Sequence, residues 1–279
     1  MSEIAQYNEI SKLYDSTREA AEAHILKSLM ENFTGKSVKD MDIIDIGCGT
    51  GNYSKYFLQF EPHSLVLMDA SEGMISKAKA KLSPDPAKTS LSFKQVVLPE
   101  MPYDDNSFDA AMINLVLHHL EKNPDGKSFP KVVQTLKEAY RILKPGGVLT
   151  ITTVTPEQLD GNWFSKLVPQ NTERWHKRLL THKQMKTILE ESGFKLVSAQ
   201  STLMASYHPN HDNIEGPLEK SWRDSISFWG TCTESEIQDM IQKVTKMKNE
   251  GTLQEFYEKH EKIHIFGALE ILAAKKEVK

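Results

Sequence analysis

Cysteine is nearly missing from this chain of 279 residues: Cys48 and Cys232 are its two thiols. Two are too few for a disulfide framework or a cysteine metal site, so no metal is expected. A basic surplus is missing as well. The formal charge is −4 and the pI about 6.2, which leaves no cationic footprint for nucleic acid. No long apolar run exists either. The longest, 263–274, is interrupted by His264 and Glu270 and is too short to span a bilayer. The first ten residues are polar and lack the apolar stretch of a secretory leader, so a reduced, cytoplasmic setting is expected. Internal repeats and low-complexity tracts are absent too. What remains is a globular composition, 39% hydrophobic and 26% charged, read as a single domain over 1–279.

The most informative stretch that is present is Asp42-Ile43-Ile44-Asp45-Ile46-Gly47-Cys48-Gly49-Thr50-Gly51-Asn52. A short β-branched run bounded by glycine reads as a strand buried on both faces. Glycines free the backbone angles of the turn and admit a ligand close to the main chain, and the helix that follows offers its N-terminal amides. The pattern is G-x-G-x-G, and Asn52 stands where a dinucleotide fingerprint wants its third glycine. About twenty residues on, the run 64–69 ends in Asp69, placed where a carboxylate accepts hydrogen bonds from ribose hydroxyls. Asp69 also suits the cap of a helix over 71–82.

Further strands are expected at 91–98, 110–114, 148–154 and 194–199, with an amphipathic helix over 132–143 stopped by Lys144-Pro145-Gly146-Gly147. Thr181-His182-Lys183-Gln184 is a capping box that opens a helix to Ser192. Alternating strands and helices specify a doubly wound, mostly parallel sheet. Ahead of it, 7–33 reads as helix, interrupted near Tyr14-Asp15. Residues 1–34 form either a packing helix or a lid in which Tyr7, Tyr14 and Arg18 close over a ligand. Near the C-terminus, 203–262 is too long for an ordinary connection and reads as a helical cap over the ligand edge.

Taken in order, Asp45 to Gly51, Asp69, the turn-rich 102–109, Leu117-His118-His119-Leu120 and Leu143 to Gly147 resemble the class I S-adenosylmethionine-dependent methyltransferases. The likeness is to the branch acting on small metabolites such as quinones and carboxylic acids, and it covers roughly 7–200. The resemblance implies a Rossmann-like α/β fold with seven strands, the last antiparallel, and S-adenosylmethionine as cofactor. Carried over by position, Asp45, Gly47, Cys48, Gly49 and Gly51 would hold the methionine part of the donor. Asp69 would take the ribose, Ala70 and Met74 would flank the adenine, and Asn114 and Leu115 would line the sulfonium. Tyr14 and Arg18 would close over the same cofactor. Val97 stands where the family often has an Asp for the adenine amine, which leaves that contact to the backbone of Val97 and Leu98.

Methyl transfer needs alignment and dryness more than covalent help. A base is required only for a protonated acceptor. His119 is the first candidate, at the carboxyl edge of the fourth strand, with His118, His208, His260 and His264 behind it. Trp163, Trp175, Trp222, Phe228 and Trp229 either wall an acceptor pocket or form the core of the cap. Asn114 lacks the Pro-Pro-aromatic continuation that resembling enzymes use on planar amides and nucleobase amines. The expected partner is therefore a small-molecule acceptor, met by a monomer or homodimer. Two rival readings stay open: an NAD-dependent dehydrogenase, disfavoured by Asn52, and a non-catalytic binding protein on the same fold.

Overall fold

The structure is a computed structural model, and it describes residues 20–83, 87–203 and 212–278. Seven strands form one sheet in the order β3-β2-β1-β4-β5-β7-β6. β1 (Asp42–Ile46), β2 (Ser64–Asp69), β3 (Ser90–Gln95), β4 (Phe108–Asn114) and β5 (Leu143–Thr153) run parallel. β7 (Leu269–Lys275) enters antiparallel between β5 and β6 (Lys195–Thr202). This is the Rossmann-like sheet with an antiparallel last strand that the sequence implied. Every residue of β4 is buried, as a central parallel strand covered on both faces requires.

Helices cover the two faces. On one lie α1 (Ala23–Thr34), α2 (Asn52–Leu58) and α3 (Glu72–Lys81), where Leu26, Met30, Phe57, Ile75 and Ala78 pack on Ile43, Leu65 and Leu67. On the other, α4 (Pro130–Ile142) and α7 (His182–Glu191) set Leu136, Ala139 and Leu189 against Ile44, Ile113 and Ile151. Between β5 and α7 come α5 (Pro156–Gly161) and α6 (Pro169–His176). The long connection after β6 contains α8 (Lys220–Asp224), α9 (Glu234–Asn249), α10 (Leu253–His260) and α11 (Ile263–Phe266). The capping box at Thr181/Gln184 stands, and another at Thr233/Glu236 opens α9.

Several boundaries differ from expectation. Of the helix read over 7–33, the part before Ala20 lies outside the described residues, together with Tyr7, Tyr14 and Arg18. The rest begins at Ala23, because Glu22 turns left-handed at φ 54°. β3 ends at Gln95, so Val97 and Leu98 lie past the strand. The run 263–274 is not one strand: Gly267, at φ 80°, breaks a short helix from β7. β5 begins at Leu143 and continues through Gly146, which takes a left-handed φ of 83°, while the pairing with β4 slips between Phe108 and Ala110. A Cβ on Gly147 would sit 2.8 Å from the Lys144 carbonyl oxygen.

Strand order reverses between β1, whose neighbour is β2, and β4, whose neighbour is β5. Ligands of open α/β sheets sit at the carboxyl ends of the strands at that reversal. The opposite ends carry a charge network instead. Lys144 Nζ donates to Asp42 Oδ2 at 2.7 Å and to Asp109 Oδ2 at 2.9 Å. Lys36 reaches Asp109 Oδ1 at 2.6 Å.

Candidate active site at the carboxyl ends of β1 and β4

The glycine turn is held from three sides. Gly47 and Cys48 both donate backbone N–H to the Met68 carbonyl, at 2.8 and 3.0 Å. Gly47, Gly49 and Gly51 all have left-handed φ, at 75°, 53° and 80°, which an L side chain rarely tolerates. At Gly47 space alone would exclude one, since a Cβ there would lie 2.4 Å from Val116 Cγ2. Lys81, at the end of α3, donates to Thr50 Oγ1 at 3.1 Å and Asn52 Oδ1 at 2.6 Å. It ties helix to turn. Nothing in sequence signals Lys81, because its role comes from the packing of α3 some thirty residues on.

Two carboxylates flank the turn. Asp45 is 1% exposed and accepts from Ser54 Oγ at 2.7 Å. Burial pushes its carboxyl up to about 7; the Ser54 hydroxyl opposes that rise and the charge of Asp69 adds to it. Asp69 accepts from the Gly49 N–H through Oδ2 and from the Ser71 N–H through Oδ1, each at 2.9 Å. Burial raises its carboxyl too, against those hydrogen bonds and the nearby His119. Ser71, not Asp69, caps α3, accepting from Met74 N–H at 3.2 Å. Cys48 is buried within the turn, and burial with two carboxylates close by pushes its thiol far up, so it stays protonated.

Gln95 ends β3 beside Asp69 and donates from Nε2 to the Ala70 carbonyl at 3.1 Å. It was not singled out in sequence. Val97 is 57% exposed, and Leu98 packs at the margin of the main core. At the end of β4, Asn114 Oδ1 accepts from Thr152 Oγ1 at 2.8 Å. Its Nδ2 is buried with no hydrogen-bond partner. Leu115 follows at φ 58°, an outlier for a branched residue of the kind that concentrates at functional sites. Its N–H reaches the Thr152 carbonyl at 2.8 Å.

Leu115 and Val116 face different neighbours. Val116 presses on Gly47, whereas Leu115 lines a cavity of about 60 Å³ with His118, Val154, Asn162, Phe164, Trp175 and Phe228 among its walls. His118 is buried, and its ring stacks 4.0 Å from His119 and 5.3 Å from Trp175. His119 is not among the cavity's walls; it lies toward Asp69. Of the four tryptophans, Trp175 lines the cavity, held by its Nε1–H to Thr231 Oγ1 at 2.7 Å. Trp163, Trp222 and Trp229 are buried in an aromatic core that joins 159–179 to 222–257. That core thus draws on the segment after β5 as well as on the insertion. Among the described residues, no cluster of three or more His, Cys, Asp or Glu side chains could hold a metal ion.

Residues 44–151 match a family model described as a methyltransferase domain, which spans the glycine turn, Asp69 and the end of β4. Over this stretch the chain is similar to the class I S-adenosylmethionine-dependent methyltransferases. A demethylmenaquinone methyltransferase of Desulfitobacterium hafniense is 27% identical over 179 residues, 61% of this chain and 67% of that one. The human mitochondrial ubiquinone biosynthesis O-methyltransferase is 27% identical over 225 residues, 77% of this chain and 56% of its own length. The chain therefore spans little more than half of that relative. In fold, a putative methyltransferase from an antibiotic biosynthesis pathway of Anabaena variabilis superposes with a TM-score of 0.68 at 17% identity. The match covers 90% of this chain and 96% of that one. Neither a dehydrogenase nor a non-catalytic binding protein finds support among these relatives. The likeness implies S-adenosylmethionine as the cofactor.

Proposed function

We propose that the protein transfers a methyl group from S-adenosylmethionine to an O, N or C atom of a small metabolite, as a cytoplasmic enzyme. The observation that carries the reading is the Leu115–Val116 pair: one side chain closes against the glycine turn while its neighbour opens onto an apolar cavity. Donor and acceptor sites separated by one peptide suit a direct group transfer. The turn also fits the donor chemically. Its glycines leave the backbone open to close approach, Asp69 keeps lone pairs for a vicinal diol, and Asn114 Nδ2 supplies a buried donor still lacking a partner.

In this reading Asp45, Gly47, Cys48, Gly49 and Gly51 hold the methionine end of the donor, with Asp45 ordering the turn or pairing with the amino group. Asp69 takes the ribose, Ala70 and Met74 flank the adenine, and Gln95 fixes Ala70. Asn114 and Leu115 border the sulfonium. When bound, the sulfonium supplies an activated methyl and its own leaving group. The chain aligns the acceptor and excludes water, for which Trp175, Phe164 and Phe228 form the apolar wall. A proton lost from the acceptor goes to His118, which faces the cavity, with His119 behind it. No helix among the described residues is long and apolar enough to cross a membrane, and both cysteines are free thiols, in keeping with a reducing compartment.

Calorimetry with S-adenosylmethionine and its demethylated product tests the donor half. Binding of both is expected, and absence of both at millimolar concentration would refute the proposal. Incubation with methyl-labelled donor and a metabolite extract then identifies the acceptor by the component that gains label.

A further inference from the structure

We propose that the cavity beneath the cap selects a neutral acceptor head group that donates a hydrogen bond, and that Asn162 Oδ1 is the residue that reads it. The inference rests on the methyl-transfer reading of this site and names the acceptor chemistry that reading leaves open.

Asn162 is 2% exposed and lines the cavity. Its Nδ2 donates to the Gln158 carbonyl at 2.8 Å. That bond settles the amide's assignment, because a carbonyl needs a donor and Nδ2 is the donor of the pair. Oδ1 is left buried with no hydrogen-bond partner. A buried amide oxygen without a donor is expensive to keep, and native structures rarely leave one without a reason. A hydroxyl or amine hydrogen on a bound acceptor supplies what is missing.

The mount is rigid. Gln158 closes a capping box with Thr155, its Oε1 accepting from the Thr155 N–H at 3.0 Å and its N–H donating to Thr155 Oγ1 at 3.3 Å. Trp175 is pinned by Thr231 and Phe228 by Asn171, whose Nδ2 donates to the Phe228 carbonyl at 2.7 Å. The walls cannot swing aside easily, so the group that enters must match them.

Charge sets the other half of the specification. Among the described residues, no Asp, Glu, Lys or Arg lines the cavity. An ionised head group would lose its hydration there with no counter-ion, a heavy penalty in an apolar enclosure. A carboxylate would also face the Asn162 oxygen, acceptor against acceptor. An apolar head group would fit the walls but leave Oδ1 unsatisfied, and sites built to bond a hydroxyl reject analogues that lack it. About 60 Å³ takes a small ring or branched head group, with any larger body extending outward.

The test uses the full chain and three simple probes, phenol, toluene and benzoate, followed by tryptophan fluorescence with and without the demethylated donor. Phenol is expected to bind at least tenfold more tightly than toluene, and benzoate not measurably. Asn162→Leu should bring phenol to the level of toluene while binding the demethylated donor within twofold of wild type. Ile226→Phe, at another wall of the cavity, should abolish both neutral probes, and donor binding by each variant checks that it has folded. Equal affinities for phenol and toluene in wild type, a hydroxyl preference that survives Asn162→Leu, or benzoate binding would each overturn the proposal. Failure of the wild type to bind the demethylated donor refutes methyl transfer instead, and the phenol and toluene arms are read independently of it.

Discussion

Asp45→Asn should make the ligand-free protein more stable as pH rises while weakening its hold on the methyl donor. The side chain is 1% exposed, and burial pushes its carboxyl from an ordinary 3.8 to about 7. Between those values the folded state keeps a proton that the unfolded chain has released. Stability therefore falls as pH climbs from about 4 to 7, by roughly 1.4 kcal/mol per unit. Asparagine is neutral throughout and keeps an oxygen for Ser54, so it escapes that loss. The gap between variant and wild type should be small near pH 4 and reach at most about 4 kcal/mol above pH 7. From pH 5 to pH 8 it should widen by roughly 3 kcal/mol, about 5–10 °C in melting temperature for a chain of this size. Thermal melts of ligand-free wild type and variant at the two pH values read this directly. A gap that does not change with pH, or a variant less stable at pH 8, would refute the reasoning. Donor binding supplies the complement. An ammonium beside Asp45 favours its ionised form, so calorimetry in buffers of different ionisation enthalpy should show about half a proton released per donor at pH 7.

Asp69→Ala removes the partner of the Gly49 and Ser71 amides and the ribose-facing carboxylate. Donor affinity measured by calorimetry should fall by about 10²-fold or more, roughly two charge-assisted hydrogen bonds. Gly47→Ala places a methyl within 2.4 Å of Val116 Cγ2 at φ 75° and should cost about 2–4 kcal/mol in urea unfolding. Adding Val116→Ala should recover part of that loss, since it removes the clash but not the strain. Lys144→Met strands Asp42 and Asp109 at the far ends of the strands. Burial opposes ionisation of Asp109, but the Asp42 N–H, Lys36 and Lys144 outweigh it and hold its carboxyl below the usual range. That stabilisation is present above about pH 4 and fades as pH drops further. The variant should therefore lose about 1–3 kcal/mol at pH 7 and progressively less as pH falls below about 4, by chemical denaturation.

The donor half of the site was legible because its chemistry is local in sequence. Strand, glycines and helix start lie within eleven residues, and Asp69 closes the next strand. The acceptor half draws on residues brought together by tertiary packing. Asn162 sits in no motif, and its meaning comes from an unpaired oxygen that only the fold reveals. His118 and His119 are adjacent in sequence, yet the short helix turn sends one to the cavity and the other toward Asp69. The tryptophans were ambiguous for a like reason. A ring that lines a pocket and a ring buried beside it satisfy the same hydrophobic pattern, and composition cannot separate them. Lys81 and Gln95 were missed because a lysine closing a helix and a glutamine closing an edge strand look like ordinary surface residues.

The insertion leaves the sheet at Thr202 and returns at Leu269, on neighbouring antiparallel strands whose ends are joined by Ala268 N–H to the Thr202 carbonyl at 2.6 Å. Its two attachment points are thus a single hydrogen-bonded seam. Lengthening or replacing such an excursion adds only about 0.6 kcal/mol of closure entropy per doubling, and no strand of the sheet must change its partner. The roof is an interchangeable cassette. Exchanging the stretch between the two seam residues would therefore replace Ser225, Ile226, Ser227 and Phe228 among the cavity's walls while leaving Asn162 and the glycine turn in place.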